Sequence, residues 1–196
     1  MPRTLPMLFS ALLCLCAALP APARAQQPAA DDDLARARAV VEDLMRIPGP
    51  DGVQESQAVR IGGIDQWISI RGQDRANPVI LFAHGGPATP TIPSLWQFQR
   101  PLEDFFTMVN YDQRGAGKTY AANDPDEVSE TIHVQQFAAD LIEVAEYARE
   151  RLGKEKLVLM AHSWGTIPAM HAALQRPDLF HAYVGVGQVI NVRDNE

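Results

Sequence analysis

A serine lies in a pentapeptide that could make it a nucleophile. Ser163 stands in segment 161–165 (AHSWG), between an apolar run at 156–160 that predicts a strand and a stretch that predicts a helix. This is the G-x-S-x-G arrangement of a nucleophile elbow, with alanine in place of the first glycine. The turn projects the hydroxyl above the sheet edge, so the pattern predicts Ser163 as the catalytic nucleophile. A serine that only caps a helix is the alternative.

A glycine-rich segment upstream could stabilise the negative charge that such an attack creates. Segment 84–88 (HGGPA) directly follows the apolar run 78–83. An attacked carbonyl becomes an oxyanion, and one of its N–H donors comes from the loop after this strand. Glycine can turn its N–H towards a substrate without a side chain in the way. We therefore assign the oxyanion hole to the N–H groups of Gly86 and Trp164. An ordinary Gly-Pro turn is the alternative.

A third segment, 112–119 (DQRGAGKT), raises a rival hypothesis. Gly-Lys-Thr after a strand could end a phosphate-binding P-loop and make the protein a nucleotide-binding enzyme. That motif needs a glycine five positions before Gly117, where Asp112 stands, and a helix that starts at once. The sequence predicts a polar loop at 120–126 (YAANDPD) instead. We therefore reject the P-loop on both counts.

Strands and helices alternate along the chain. A hairpin is predicted at 56–61 and 64–71, buried strands at 78–83, 105–111, 156–160 and 182–186, and amphipathic helices at 34–47 and 132–152. Continuous apolar strands separated by helices predict the α/β class, with a mostly parallel sheet and helices on both faces. Gly153 stands where a helix C-cap is usual.

In this order and spacing, HGGPA, DQRGAGKT and AHSWGT resemble the proline iminopeptidase-like branch of the α/β-hydrolase superfamily. That branch typically shows HGGPG, DQRGxGxS and GxSWG, and the resemblance covers residues 56–187. It implies an eight-stranded sheet, a helical cap, a Ser-Asp-His triad and removal of an N-terminal residue, often proline, from small peptides. It implies no cofactor and no metal. The DQRG loop supports the site in that family, so Asp112 and Arg114 stay outside the catalytic set.

Two departures leave the substrate open. Ala88 replaces the last glycine of HGGPG, and His162 precedes the serine where peptidase members often carry glycine. A carboxylesterase or amidase acting on small molecules is therefore the alternative to an aminopeptidase. A reaction through an aspartate nucleophile is disfavoured because the elbow carries Ser163.

The partners of the serine are not evident in this chain. The triad of this fold runs serine, acid, histidine along the sequence. Five acids and histidines follow Ser163, namely His171, Asp178, His181, Asp194 and Glu196. Each of them either has an ordinary structural interpretation or is an acid with no histidine after it. We therefore expect the triad acid and base to lie beyond residue 196. The C-terminal strands and the cap would also be missing from this chain, and residues 1–196 alone would be inactive. A non-enzyme that binds a partner through half a site is a third hypothesis.

The remaining histidines are expected in supporting positions. His84 should pack beneath the oxyanion loop, and His133 should be solvated or cap the helix that follows it. The elbow should point His162 away from the nucleophile. None of the three is predicted to be catalytic.

The first residues have the pattern of a secretory leader. Arg3 precedes an apolar run at 7–19, and Ala23-Arg24-Ala25 is a small-x-small cleavage site. The run is shorter than the roughly 20 residues of a spanning helix, which favours cleavage over a membrane anchor. The sequence thus predicts a signal peptide at 1–25, a linker and leading amphipathic helix at 26–50, and an incomplete hydrolase domain at 51–196. The product would be periplasmic or extracellular, with no stable membrane anchor.

Composition narrows the possible ligands. Both cysteines lie in the predicted leader, so the mature chain would hold no disulfide and no thiolate metal site. The formal net charge is −7, and losing Arg3 and Arg24 would lower it by two more. An acidic chain without a basic cluster does not suit nucleic acid. A small peptide or ester is the expected substrate.

Overall fold

The computed structural model describes residues 30–191. The predicted signal peptide, 1–25, lies outside the described residues. The chain divides into two compact units, Met1–Ala37 and Arg38–Glu196. Within the described range the first unit holds only the start of one helix, and the second holds the sheet. None of the helices in this range is both long and apolar enough to cross a membrane.

Six strands form one mixed sheet in the order β1-β2-β4-β3-β5-β6. The strands are β1 (Val53–Ile61), β2 (Ile64–Gly72), β3 (Val79–Ala83), β4 (Thr107–Asp112), β5 (Leu157–His162) and β6 (Phe180–Val186). β1 and β2 pair antiparallel, as do β2 and β4, whereas β4, β3, β5 and β6 are mutually parallel. The predicted hairpin and the four predicted strands are confirmed, with ends shifted by up to three residues. The expected burial is wrong for β6, whose residues are mostly exposed because β5 is its only neighbour among the described strands.

Five α-helices accompany the sheet among the described residues. They are α1 (Ala30–Leu44), α2 (Gly117–Ala122), α3 (Pro125–Ser129), α4 (Val134–Leu152) and α5 (Thr166–Gln175). The two predicted helices are confirmed, although α1 begins four residues earlier than expected and ends at Leu44. Short 3₁₀ segments lie at Ile92–Gln97, Ser163–Gly165 and Pro177–Leu179.

The ends of α4 follow from two local interactions. The ring nitrogen Nδ1 of His133 accepts a hydrogen bond from the N–H of Gln136 at 3.2 Å, which caps the first turn. Gly153 ends the helix in the left-handed region at φ 63°. The expected capping roles of both residues are confirmed.

Successive residues of a strand point to opposite faces of the sheet, and both faces are covered. Val109 of β4 belongs to the main apolar core together with Leu141 of α4 and Ala169 of α5. The next residue, Asn110, points to the other face, where its side chain donates to Gln99 at 2.8 Å. The sheet is therefore flanked by α4 and α5 on one face and by segment 92–106 on the other.

Candidate active site

Ser163 occupies a strained turn between β5 and α5. Its φ is +52°, a left-handed conformation that costs a residue with a side chain roughly 1–2 kcal/mol. The side chain is half-buried. The Thr166 hydroxyl donates to the Ser163 carbonyl at 2.6 Å and accepts from the Val189 N–H at 3.1 Å. The start of α5 and the chain after β6 therefore hold this turn in place.

The elbow requires small residues on both sides, as the sequence predicts. A methyl group at Gly165 would lie 2.3 Å from the His84 carbonyl oxygen and 2.7 Å from that of Ala83. Ala161, two residues before the serine, is fully buried. The backbone after β3 and the start of the elbow helix therefore pass so close that position 165 admits only hydrogen.

The glycine-rich loop lies directly against the elbow. A methyl group at Gly85 would lie 3.0 Å from the Ser163 Cβ and 3.0 Å from the His162 carbonyl oxygen. The next residue, Gly86, has φ +124°, a conformation that side chains rarely adopt. Ala88 also has a positive φ, +62°, although it is not a glycine. The structure thus brings the predicted oxyanion loop and the predicted nucleophile together.

The second predicted donor residue is fixed by aromatic packing. The Trp164 ring meets the Phe137 ring of α4 edge to face, with centroids 4.9 Å apart. This geometry suits the charge distribution of aromatic rings. Trp164 is therefore tied to a buried position of α4 as well as to the elbow.

The loop after β4 fixes the base of the oxyanion loop through His84. The Gln113 N–H donates to His84 Nε2 at 3.1 Å, and the Gln113 side-chain amide donates to the His84 carbonyl at 2.9 Å. Since Nε2 accepts, Nδ1 carries the proton and donates to the Gly85 carbonyl at 2.9 Å. Burial lowers the pKa of His84, with the Gly85 bond acting weakly in the opposite sense. His84 is therefore neutral and lies beneath the oxyanion loop, in the position that the sequence predicts.

An ion pair in which both side chains are buried anchors the loop after β4. The Arg114 guanidinium donates twice to the Asp140 carboxylate of α4, at 2.8 and 2.9 Å, and both side chains are 1 % exposed. Gln66 and Gln136 also donate to this carboxylate, at 2.7 and 2.8 Å. A bidentate, fully hydrogen-bonded pair of this kind fixes position as well as charge. Arg114 is thus a support, as the resemblance implies.

Of the two grounds for rejecting the P-loop, the expected lack of a helix at this point is wrong, and the presence of Asp112 is strengthened as an argument. The helix α2 does start directly at Gly117, where the sequence predicted a loop from Tyr120. However, the Asp112 carboxylate accepts from the Lys118 N–H at 2.8 Å, so this N–H at the start of α2 is not free for a phosphate. The Lys118 ammonium lies 4.2 Å over the Trp67 ring instead of pointing to an anion. This segment does not form a phosphate site.

No histidine within residues 30–191 bonds the Ser163 hydroxyl. His84 and His133 have the partners described above. His162, His171 and His181 are exposed. Asp178 pairs with Arg176 in the turn before β6. The described part of the chain therefore holds the predicted nucleophile and the predicted oxyanion loop without a general base beside them, and it contains no cluster of three metal-ligating side chains.

Sequence reasoning missed the two residues that brace this site, Gln113 and Asp140. Asp140 offered a signal, because it shares the apolar face of its helix with Phe137 and Leu141 and is 1 % exposed. An acid on a buried helix face needs a cationic partner. Gln113 belongs to the DQRG loop that the resemblance implies as a support, but its own role depends on a contact with His84, 29 residues earlier.

The fold agrees with what similar proteins show. Residues 78–195 match the model of a family described as alpha/beta hydrolase fold. The chain belongs to the α/β-hydrolase superfamily. Within it, the chain is similar to aminopeptidases and proline iminopeptidases. It is 40 % identical over 151 residues to the probable aminopeptidase YbaC of Bacillus subtilis, covering 76 % of this chain and 46 % of that protein.

Other relatives are named either proline iminopeptidase or epoxide hydrolase. The proline iminopeptidase of Neisseria gonorrhoeae is 31 % identical over 59 % of this chain and 35 % of its own. Potato epoxide hydrolase I is a structural neighbour with a TM-score of 0.56 and 27 % identity, over 68 % of this chain and 39 % of its own. The chain spans less than half the length of the curated relatives it matches.

Proposed function

We propose that this chain is part of an exported serine hydrolase, most closely an aminopeptidase of the proline iminopeptidase type. The observation that carries the proposal is Ser163 at φ +52° in a strand-to-helix turn, with the Gly85 backbone packed against its Cβ. A nucleophile elbow beside a glycine-rich loop is the arrangement that acyl transfer requires. The relatives named aminopeptidase and proline iminopeptidase support the substrate class.

In the proposed reaction the Ser163 hydroxyl attacks the carbonyl of the substrate's first residue. The N–H groups of Gly86 and Trp164 hold the oxyanion of the tetrahedral intermediate. A histidine takes the serine proton and passes it to the leaving amine, and a carboxylate orients that histidine. We place this histidine and carboxylate in the part of the fold that the chain does not span. Residues 1–196 alone would then lack turnover.

Relatives named epoxide hydrolases do not change this proposal. A carboxylate nucleophile would need aspartate or glutamate at the elbow, and the residue there is Ser163. A serine hydroxyl suits attack on a carbonyl, with an acyl-enzyme as the covalent intermediate. Acyl transfer is therefore the class of reaction we infer.

The test is a fluorophosphonate probe applied to the full-length protein, followed by intact mass and peptide mapping. One adduct, mapped to Ser163, is the expected result. An unlabelled protein would refute the serine mechanism and favour a non-enzymatic, partner-binding role. The N-terminal residue of the purified protein tests export in the same experiment, because cleavage after Ala25 leaves Gln26 at the start.

A carboxylesterase or amidase is the second candidate, and one observation favours it. Ala88 keeps a left-handed backbone, φ +62°, where peptidase members carry glycine. Its methyl group therefore adds bulk to the loop that carries the proposed oxyanion donor Gly86. Comparing turnover of proline-naphthylamide with that of short-chain aryl esters separates the two candidates. Rapid ester hydrolysis without amide cleavage would exclude the aminopeptidase.

A further inference from the structure

A cavity of about 350 Å³ lies between helix α1, the hairpin of β1 and β2, and the 3₁₀ segment Ile92–Gln97. Small-molecule sites have volumes of roughly 300–1,000 Å³. Ser69 in the cavity floor pairs with Asn110 of β4, so both side chains lie on the sheet face that segment 92–106 covers. Strands β4 and β3 separate β2 from β5, the strand that leads to Ser163. The cavity is therefore distinct from the candidate active site.

The floor of the cavity contains a buried hydroxyl group without a hydrogen-bond partner. Ser69 is 4 % exposed, and its side chain bonds no other group among residues 30–191. Buried polar side chains normally have a partner. Because Ser69 lines the cavity, its hydroxyl is available to a ligand that enters there. This observation points to an occupant with a polar group.

Two residues of β1 add donors beside Ser69. The Gln54 side-chain oxygen accepts from the Ile47 N–H at 3.1 Å, and the Gln54 amide N–H groups have no partner among the described residues. The Ser56 hydroxyl oxygen accepts from the Trp67 indole N–H at 2.8 Å, which leaves the hydroxyl proton to donate. Both residues line the cavity. The floor therefore presents donors that match the carbonyl oxygens of a ligand.

Arg71 in the floor contributes a further donor but no net charge. Its Nε donates to the Glu103 carboxylate at 2.8 Å, and its Nη2 donates to the Met45 carbonyl. Its Nη1 bonds no residue in the described part of the chain. Glu103 is fully buried, so the charges of Arg71 and Glu103 compensate each other. The cavity therefore suits an uncharged acceptor better than an anion.

The two carboxylates around the cavity do not make it a site for a cation. The Glu55 carboxylate accepts from Arg75 at 3.0 Å and from Arg151 at 2.9 Å, so its charge is already compensated. Glu42 is exposed, and solvent screens its charge. The charges around the cavity therefore favour an uncharged ligand over a cation as well.

The walls of the cavity are apolar. Helix α1 and the residue after it contribute Val41 and Met45, and the 3₁₀ segment contributes Ile92, Pro93 and Leu95. Apolar walls with a few polar groups that fix orientation are typical of small-molecule sites. An aliphatic group can be buried between these walls, whereas a charged group would lose its hydration without gaining a partner.

We infer that this cavity binds a short, uncharged amide or peptide segment. The carbonyl oxygens of the ligand accept from Ser69, Gln54 and Arg71, and its aliphatic side chain lies between α1 and the 3₁₀ segment. The inference goes beyond the proposed function, because binding at this site does not involve Ser163. It therefore requires no turnover and can be tested without it.

Two pairs of variants test the site. Val41→Trp fills the cavity, and Val40→Trp is its matched control, because Val40 is 59 % exposed on the same helix and does not line the cavity. Ser69→Ala removes the unpartnered hydroxyl and leaves the cavity open. Ser129→Ala is its control, since the Ser129 hydroxyl donates to the Asp126 carbonyl away from the cavity. Ser69→Ala breaks no hydrogen bond, so it decides the matter if Val41→Trp does not fold.

The experiment is a ligand-observed NMR titration of N-acetyl-L-leucinamide into the full-length protein. The acetyl group removes the free amine that a substrate of an aminopeptidase carries. We expect saturable binding in the wild type, in Val40→Trp and in Ser129→Ala. Val41→Trp should abolish binding, and Ser69→Ala should weaken it about 2- to 10-fold, the effect of one hydrogen bond. N-acetyl-L-lysinamide, which has the same carbonyl groups and a charged side chain, should bind more weakly.

Several outcomes would overturn the inference. They are absence of saturable binding in the wild type, binding that neither Val41→Trp nor Ser69→Ala weakens, and equal binding of the leucine and lysine compounds. Ser163→Ala should bind like the wild type, and loss of binding in that variant would place the ligand at the candidate active site instead. Absence of turnover in the wild type, with binding at the cavity retained, would refute only the proposed function.

Discussion

Two loops begin at the same edge of the sheet, where the parallel strands β4 and β5 end, and they differ in burial and in backbone strain. The loop after β4 is buried, with Asp112, Gln113 and Arg114 each at most 1 % exposed and each bonded to another part of the fold. The turn after β5 is half open, and Ser163 sits in it with a strained backbone. The first loop supports its neighbours, and the second carries the serine that we propose as the nucleophile. The strained backbone conformation of Ser163 persists because contacts from the neighbouring loop fix the residues around it.

The largest expected difference between the loops concerns activity. Ser163→Ala in the full-length protein should lower kcat by at least about 10⁴-fold, because removal of a nucleophile abolishes the covalent pathway. Ser94→Ala is the control, since the Ser94 hydroxyl only donates to the Thr91 carbonyl. Steady-state turnover of an aryl ester is the measurement. Equal activity in the two variants would place the nucleophile elsewhere.

The supporting loop should respond in stability. Asp140→Asn leaves the Arg114 charge buried without a carboxylate, and it should cost about 3–5 kcal/mol in the free energy of unfolding. Asp104→Asn is the matched control, because Arg100 and Asp104 form a pair at 3.2 Å with side chains 35 % and 57 % exposed. It should cost less than about 1 kcal/mol. Urea denaturation measures both.

If the two aspartate variants lose similar stability, the loop after β4 is not the rigid support that its burial indicates. Fluorophosphonate labelling of Ser163 in Asp140→Asn gives a second measure. Slower labelling of protein that remains folded would show that the support acts on the elbow.

A close backbone approach links the two regions, and a methyl group should disrupt it. Gly165→Ala places Cβ 2.3 Å from the His84 carbonyl oxygen and should destabilise the fold by about 3 kcal/mol. Gly63→Ala is the control, since a methyl group there meets no atom within 4 Å. Its cost, from φ +80°, should be about 1 kcal/mol. Thermal denaturation distinguishes them, and equal shifts in Tm would contradict the close packing.

The smallest expected effect is a pH dependence of stability through His84. Burial lowers its pKa below 6.5, so the unfolded chain binds a proton that the folded chain resists. The contribution is complete above pH 6.5 and is lost as the pH falls below that value. Unfolding free energies between pH 7.5 and 5 should fall less steeply in His84→Gln than in the wild type. Identical slopes would mean that folding does not lower the pKa of His84.

Local sequence patterns were sufficient for much of the fold. The hairpin, the positions of the parallel strands and α4 with both caps followed from residue patterns and from Gly153 and His133. The helix α2 was missed because Gly117–Ala122 is short and its start depends on the Asp112 carboxylate. A capping interaction made from six residues away is not visible in hydrophobic periodicity.

For the candidate site, the sequence by itself determined the residue types that the elbow tolerates. Ser163, Gly165 and Gly86 were predicted because tight turns and close backbones admit few side chains. Only the tertiary structure decided what holds them. Gln113 fixes His84, and Asp140 neutralises Arg114, through contacts between residues 29 and 26 positions apart. Such contacts depend on which strands become neighbours, and strand order is a property of the folded sheet rather than of any local segment.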